Sequence, residues 1–261
     1  MPRQARLDAP GVLHHITARG IERRKIFRDD TDREDFIDRL AGLAEKGAWP
    51  VYAWSLMPKH FHLLVRTGKQ PLSRNLRSLM SGYAGYFSRR HTRHGHVFQN
   101  RYKSIVCEEE TYFLELVRYV HLNPLRAKEV SDMSGLDTYP YSGHSAITGK
   151  IARPWQDTDE VLGRFSDKLR EAIRLYRAYM AAGIRAGPER PELAGGGLLR
   201  SYGGWRGVVA LRRGREQYQS DERILGSSSF IEEIVKESEA QAEEKGRKVS
   251  LDTLIRRICG T

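Results

Sequence analysis

The chain has 261 residues, 39% of them hydrophobic and 30% charged, with a formal net charge of +11; its sequence pI is near 9.7 and its mean hydropathy is −0.58. No run approaches the roughly 18 apolar residues that a membrane-crossing helix needs. Residues 1–8 lack the apolar stretch of a secretory signal, so the expected location is the cytoplasm. Two widely separated cysteines, Cys107 and Cys259, support neither a disulfide framework nor a zinc ribbon and read as reduced structural thiols.

Residues 11–18 (GVLHHITA) form a short run rich in β-branched residues between Pro10 and Gly20, the pattern of a strand. Over residues 29–46 the period changes: Phe36, Ile37, Leu40, Leu43 and Ala44 recur at spacings of three and four, acidic residues crowd the first turn, and Gly47 follows, as in an amphipathic helix. Residues 51–56 and 61–65 read as two strands joined by a hairpin at Met57-Pro58-Lys59. A long basic helix is expected over 72–93, a strand over 97–106, and a helix over 108–122 that Pro124 terminates.

The order βαββαβα predicts an α+β, ferredoxin-like domain over residues 1–130, an antiparallel sheet with its helices on one face. Beyond it, 131–261 reads as a mainly helical accessory region that helps hold DNA. Helical patterns fall there near 157–164, 166–182, 230–245 and 251–259, with a Gly- and Pro-rich flexible linker near 187–197. This fold order serves many functions, so function has to come from the site.

The charge is unevenly spread. From Lys59 through Cys107 there are ten Lys or Arg and no Asp or Glu. An ordinary solvated face mixes both signs, so the segment points to nucleic acid, whose condensed counterions Lys and Arg displace. Arg74, Arg77, Arg89 and Arg90 are expected to meet phosphates, which positions a strand without reading its sequence. Arg19, Arg101 and Lys103 are expected to do the same, and Tyr102 to stack on an unpaired base.

On a strand alternate side chains share a face, so His60 and His62 point one way and Phe61, Leu63 and Val65 the other, toward the core. Two imidazoles on one side suit a metal. Tyr112, Tyr119 and Asn123 form one stripe along the following helix. Taken singly, Tyr119 also reads as a packing tyrosine and Asn123 as an ordinary helix-terminal residue before proline. His14 and His15 face opposite sides of their strand, and His94 and His96 straddle Gly95, so neither pair makes a convincing site.

The segments MPKHFHLLV, GHVFQNRYKS and RYVHLNP, in that order, resemble those of HUH single-tyrosine transposases, the branch containing the REP-associated tyrosine transposases. The resemblance covers residues 7–130. It implies that Tyr119 is the nucleophile and that His60, His62 and Asn123 bind a divalent cation, Mg²⁺ or Mn²⁺. It further implies a nicking and strand-transfer enzyme that cuts and rejoins single-stranded DNA beside hairpins or REP-like palindromes, through a 5′-phosphotyrosine intermediate. Such a protein is expected at the bacterial nucleoid, as a monomer or homodimer. The rival reading is a domesticated, non-enzymatic regulator that binds DNA hairpins. An RNA-recognition module ranks below both, since no RNP1-like run is present.

Overall fold

The structure is a computed structural model that describes residue 7 and residues 10–185, 223–227 and 229–240. Its elements follow the expected order: β1 (Leu13–Arg19), α1 (Asp30–Glu45), β2 (Val51–Met57), β3 (His60–Arg66), α2 (Leu72–Arg90), β4 (Lys103–Cys107) and α3 (Glu109–His121). β1 pairs antiparallel with both β3 and β4, and β3 pairs antiparallel with β2. A short strand β5 (Ile224–Leu225) extends the sheet parallel to β4, giving the order β2-β3-β1-β4-β5.

The helices do not share one face. α1 and α2 pack Phe36, Ile37, Leu40, Leu76, Leu79, Tyr83 and Phe87 onto Ile16, Phe61, Leu63 and Val65. α3 lies on the opposite side, where Phe113, Leu116, Val117 and Val120 meet Ala53, Leu64 and Ile105. The physical reason is that β2 carries apolar side chains at both sets of alternating positions, Ser55 excepted, and is buried along its whole length. Covering one face alone would leave the other in water, at a cost of about 25 cal/mol per Å² of apolar surface.

α1 begins where Asp29 accepts from the Asp32 backbone N–H (3.1 Å), an N-cap that satisfies one orphan donor of the first turn. Asp32 itself is wholly buried and is paired with Arg90 (2.6 Å) and His91 (2.9 Å) at the end of α2. Removing a carboxylate from water is tolerable only with such partners, so this cluster fixes α2 against α1.

Two expected boundaries move. β4 starts at Lys103 instead of residue 97, because Val97 and Tyr102 turn under α2 into its core. Pro124 does not end helical structure: after Leu122 a further turn, α4 (Asn123–Arg126), begins with the proline in its first turn, where the missing N–H costs nothing.

Apart from β5, the described elements of the second region are helical: α5 (Met133–Thr138), α6 (His144–Ile147), α7 (Thr158–Gly163), α8 (Leu169–Arg185) and a helix at 229–240. It is bound closely to the sheet. Leu56 N–H donates to the Tyr141 carbonyl, Gly143 N–H to Trp54 and Asp157 N–H to Val51, each at 2.9 Å, so the outer edge of β2 is capped by a returning segment. Gln156 completes that edge by accepting from the buried Trp54 indole (2.8 Å). The expected linker at 187–197 and the helix expected over 251–259 lie outside the described residues.

Candidate functional site

His60 and His62 lie on the α3 side of β3, since Phe61, Leu63 and Val65 fill the opposite core. Their rings are 5.2 Å apart between centroids and nearly perpendicular (80°). His62 is buried and His60 half-buried. Burial holds the His62 pKa well below the usual value, with His15 and His60 adding to the effect. The His60 pKa is lowered by burial and then by the Arg19 guanidinium. Both rings are therefore neutral near pH 7 and keep a lone pair for a ligand.

α3 crosses above this pair. The Tyr119 ring stands 5.7 Å from His62 at 80° and 5.5 Å from His15 at 81°. The Asn123 amide donates to the Tyr119 carbonyl (2.9 Å), which holds it one turn beyond the tyrosine. Tyr112 is two turns away, about 10 Å along the axis, and packs against the core under α3. The four residues His60, His62, Tyr119 and Asn123 thus come from one strand and one helix terminus that meet.

The opposite flank of the α3 terminus is anchored by a buried chain of hydrogen bonds. Arg177 donates to Asp137 (2.6 Å), which accepts from His144 Nε2 (2.9 Å). Burial lowers the His144 pKa, Asp137 opposing it, so the ring is neutral and its Nδ1 accepts from the Tyr176 hydroxyl (2.7 Å). That hydroxyl in turn accepts from His121 Nδ1 (2.8 Å).

Two neighbours of Tyr119 escape a reading of the sequence. His15 stacks on His62 (5.2 Å, 9°), with its Nε2 3.0 Å from His62 Nδ1; His14, on the other face, meets Ser104 Oγ at 2.8 Å. An adjacent histidine pair carries no signal of this, because the partner comes from β3. Arg126 of α4 places its guanidinium 5.4 Å from the Tyr119 ring centroid, and no motif marks it.

The expected DNA-contacting residues divide. Arg19, Arg74, Arg77, Arg89, Arg101 and Lys103 are exposed. Arg77 and Arg101 line a groove of about 680 Å³ between α2 and residues 95–102. Arg90, also exposed, pairs its guanidinium with Asp29 and Asp32 across the α1–α2 contact. Tyr102 is 7% exposed, packed beneath α2, where it also lines that groove. His94 and His96 are exposed. Among the described residues no three His, Cys, Asp or Glu side chains converge as a metal group.

No described helix is long and apolar enough to cross a membrane. Residues 10–123 match the family described as IS200-like transposases. Among solved structures, the chain is similar to one described as a REP-associated tyrosine transposase bound to a REP hairpin, at 15% identity over 60% of this chain and 90% of that one, with a TM-score of 0.44. A second, from Deinococcus radiodurans R1 and described as a candidate transposase, is 17% identical over 46% of this chain and 95% of that one, with a TM-score of 0.33. No curated protein matches the chain. The match to the IS200-like transposase family model falls on the stretch that carries β1 to β4, both site histidines, Tyr119 and Asn123.

Proposed function

We propose that this chain is a transposase that cleaves and rejoins single-stranded DNA beside hairpin or REP-like palindromic elements, with Tyr119 as the nucleophile. The observation that carries the reading is the phenol of Tyr119 set edge-on to His62. The phenolic oxygen attacks the scissile phosphorus and the P–O3′ bond breaks. The products are a 5′-phosphotyrosine ester and a free 3′-hydroxyl, which takes up the proton. Attack by a 3′-hydroxyl on the ester reverses the step and reseals a strand without loss of bond energy. Arg126 places positive charge over the ring.

The donor set fits a divalent cation, Mg²⁺ or Mn²⁺. His60, His62 and the Asn123 amide oxygen would hold it, and three ligands leave positions open. Bound there, it would neutralise charge on the nonbridging phosphate oxygens as a Lewis acid. His15 orients the pair: by accepting the His62 Nδ1–H it leaves His62 Nε2 with its lone pair, as a partner to a metal-binding imidazole does.

Incubation with a labelled DNA hairpin bearing single-stranded flanks, with Mn²⁺ or EDTA, tests the reading on a denaturing gel. A covalent adduct forms with Mn²⁺, and Tyr119→Phe abolishes it while leaving binding intact. Persistence of the adduct in that variant would end the assignment. Hairpin binding with no adduct under any condition would favour the regulator instead.

A further inference from the structure

The strongest concentration of positive charge outside the residues considered so far comes from three separate segments. Arg23, Arg24, Lys25 and Arg28 of the loop between β1 and α1, Lys59 of the β2–β3 turn, and Arg93 beyond α2 together line an open pocket of about 570 Å³. All of them except the half-buried Arg93 are exposed. Among the described residues Arg24 has an acidic partner, Glu22 at 2.8 Å, whereas Arg23, Lys25, Lys59 and Arg93 make no ion pair.

Such an arrangement does not serve stability. Six like charges repel one another, and acidic residues are plentiful elsewhere in the chain. The loop is also held in a costly backbone state, with consecutive non-glycine residues Glu22 (φ 52) and Arg23 (φ 57) in the left-handed region. L residues persist there where the surroundings over-determine them. The surroundings do so here: the backbone N–H groups of Ile26 and Phe27 donate to the Pro58 carbonyl (2.8 and 3.1 Å) and that of Gly20 donates to Lys59 (2.8 Å). The loop and the hairpin turn are thereby tied into one rigid cationic platform.

The platform adjoins the candidate site. Lys59 precedes His60 in the chain, and Arg19, opposite His60 in the β1–β3 ladder, leads through Gly20 into the basic loop. A strand whose phosphate lies against His60 and His62 would carry its next phosphates toward these residues. We propose that Arg23, Arg24, Lys25, Arg28, Lys59 and Arg93 form an anchoring site for the phosphodiester backbone of DNA flanking the scissile phosphate. The inference rests on the reading that DNA is the substrate. The site grips the strand independently of sequence and fixes which phosphate reaches Tyr119.

The test uses the full chain carrying Tyr119→Phe, in EDTA, so that no cleavage enters the measurement and failure of the proposed chemistry does not affect the outcome. Fluorescence anisotropy with a labelled DNA hairpin bearing single-stranded flanks gives Kd over a salt series. The slope of log affinity against log salt shrinks by about 0.7 to 0.9 for each phosphate contact removed. Lys25→Ala with Lys59→Ala, and separately Arg23→Ala with Arg93→Ala, should each flatten it by about two contacts' worth and raise Kd on the order of tenfold. Lys46→Ala, which removes an exposed positive charge at the C-terminal end of α1, should leave the slope unchanged. Uncharged methylphosphonate linkages in one flank should reproduce the loss in the unmutated platform and add nothing in the variants. An unaltered slope in both platform variants would overturn the proposal. So would equal flattening by the Lys46 control, or competition by inorganic phosphate with no dependence on the flanking linkages.

Discussion

The ring of Tyr119 stands 5.7 Å from that of His62 and almost perpendicular to it, although the two belong to elements separated in the chain by α2 and β4. This depends on the side of the sheet that α3 covers. β3 turns His60 and His62 away from α1 and α2, so a helix packed beside those two could not bring a phenol to the histidines. With α3 on the opposite face, Val117 and Val120 bury into the sheet, and Tyr119, flanking them, falls beside the imidazoles.

His15 is expected to matter through His62. Replacing it by Phe keeps the stacked ring and removes the nitrogen 3.0 Å from His62 Nδ1. Loss of such a partner typically weakens metal binding by about 10- to 100-fold. Calorimetric titration with Mn²⁺ should show that weakening, while anisotropy with a DNA hairpin in EDTA should show no change; unaltered Mn²⁺ affinity would remove His15 from the site.

Tyr176→Phe deletes one hydroxyl that serves two imidazoles, leaving the Nδ1 atoms of His121 and His144 without it. Each buried group left unsatisfied costs about 1–3 kcal/mol. Urea unfolding should therefore give a lower midpoint at unchanged slope. A midpoint equal to that of the parent would mean that this chain of hydrogen bonds contributes nothing to holding the end of α3.

Arg77→Ala and Arg90→Ala remove the same charge from α2 with opposite consequences. Arg90 offsets the buried Asp32, so its loss should lower stability by leaving that carboxylate with one partner fewer. Arg77, exposed on the groove, should cost little stability and instead weaken DNA binding with a smaller salt slope. Thermal unfolding and anisotropy on the two variants decide the matter; an Arg90 variant as stable as its parent would contradict the structural role.

Burial lowers the His14 pKa from 6.5 to about 4. The folded chain keeps this ring neutral, whereas the unfolded chain takes up a proton below pH 6.5. The stability it contributes is thus complete above that value and is lost as pH falls toward 4, by about 3 kcal/mol over the interval. His15, also lowered to about 4 by burial and then by Lys103, acts in the same direction. His14→Gln should lose less stability than its parent between pH 6.5 and 4.5 in urea titrations, and parallel losses in the two would refute the assignment.

Much of the outcome was written in local order. Alternation along HFHLL sends His60 and His62 to one side because the strand period is two, and the spacing of Tyr119 and Asn123 sets them one turn apart on any helix. The sequence by itself therefore determined the element order, the histidine pair and the tyrosine–asparagine stripe. Tertiary structure decided what periodicity does not encode. An amphipathic stripe says that α3 buries a face but not which side of a doubly apolar sheet receives it. The burial of Tyr102 and the pairing of Arg90 with Asp32 depend on how α2 packs. His15 and Arg126 have no local signature, and the basic run at Arg23, Arg24, Lys25 and Arg28 joins Lys59 and Arg93 only in the folded chain.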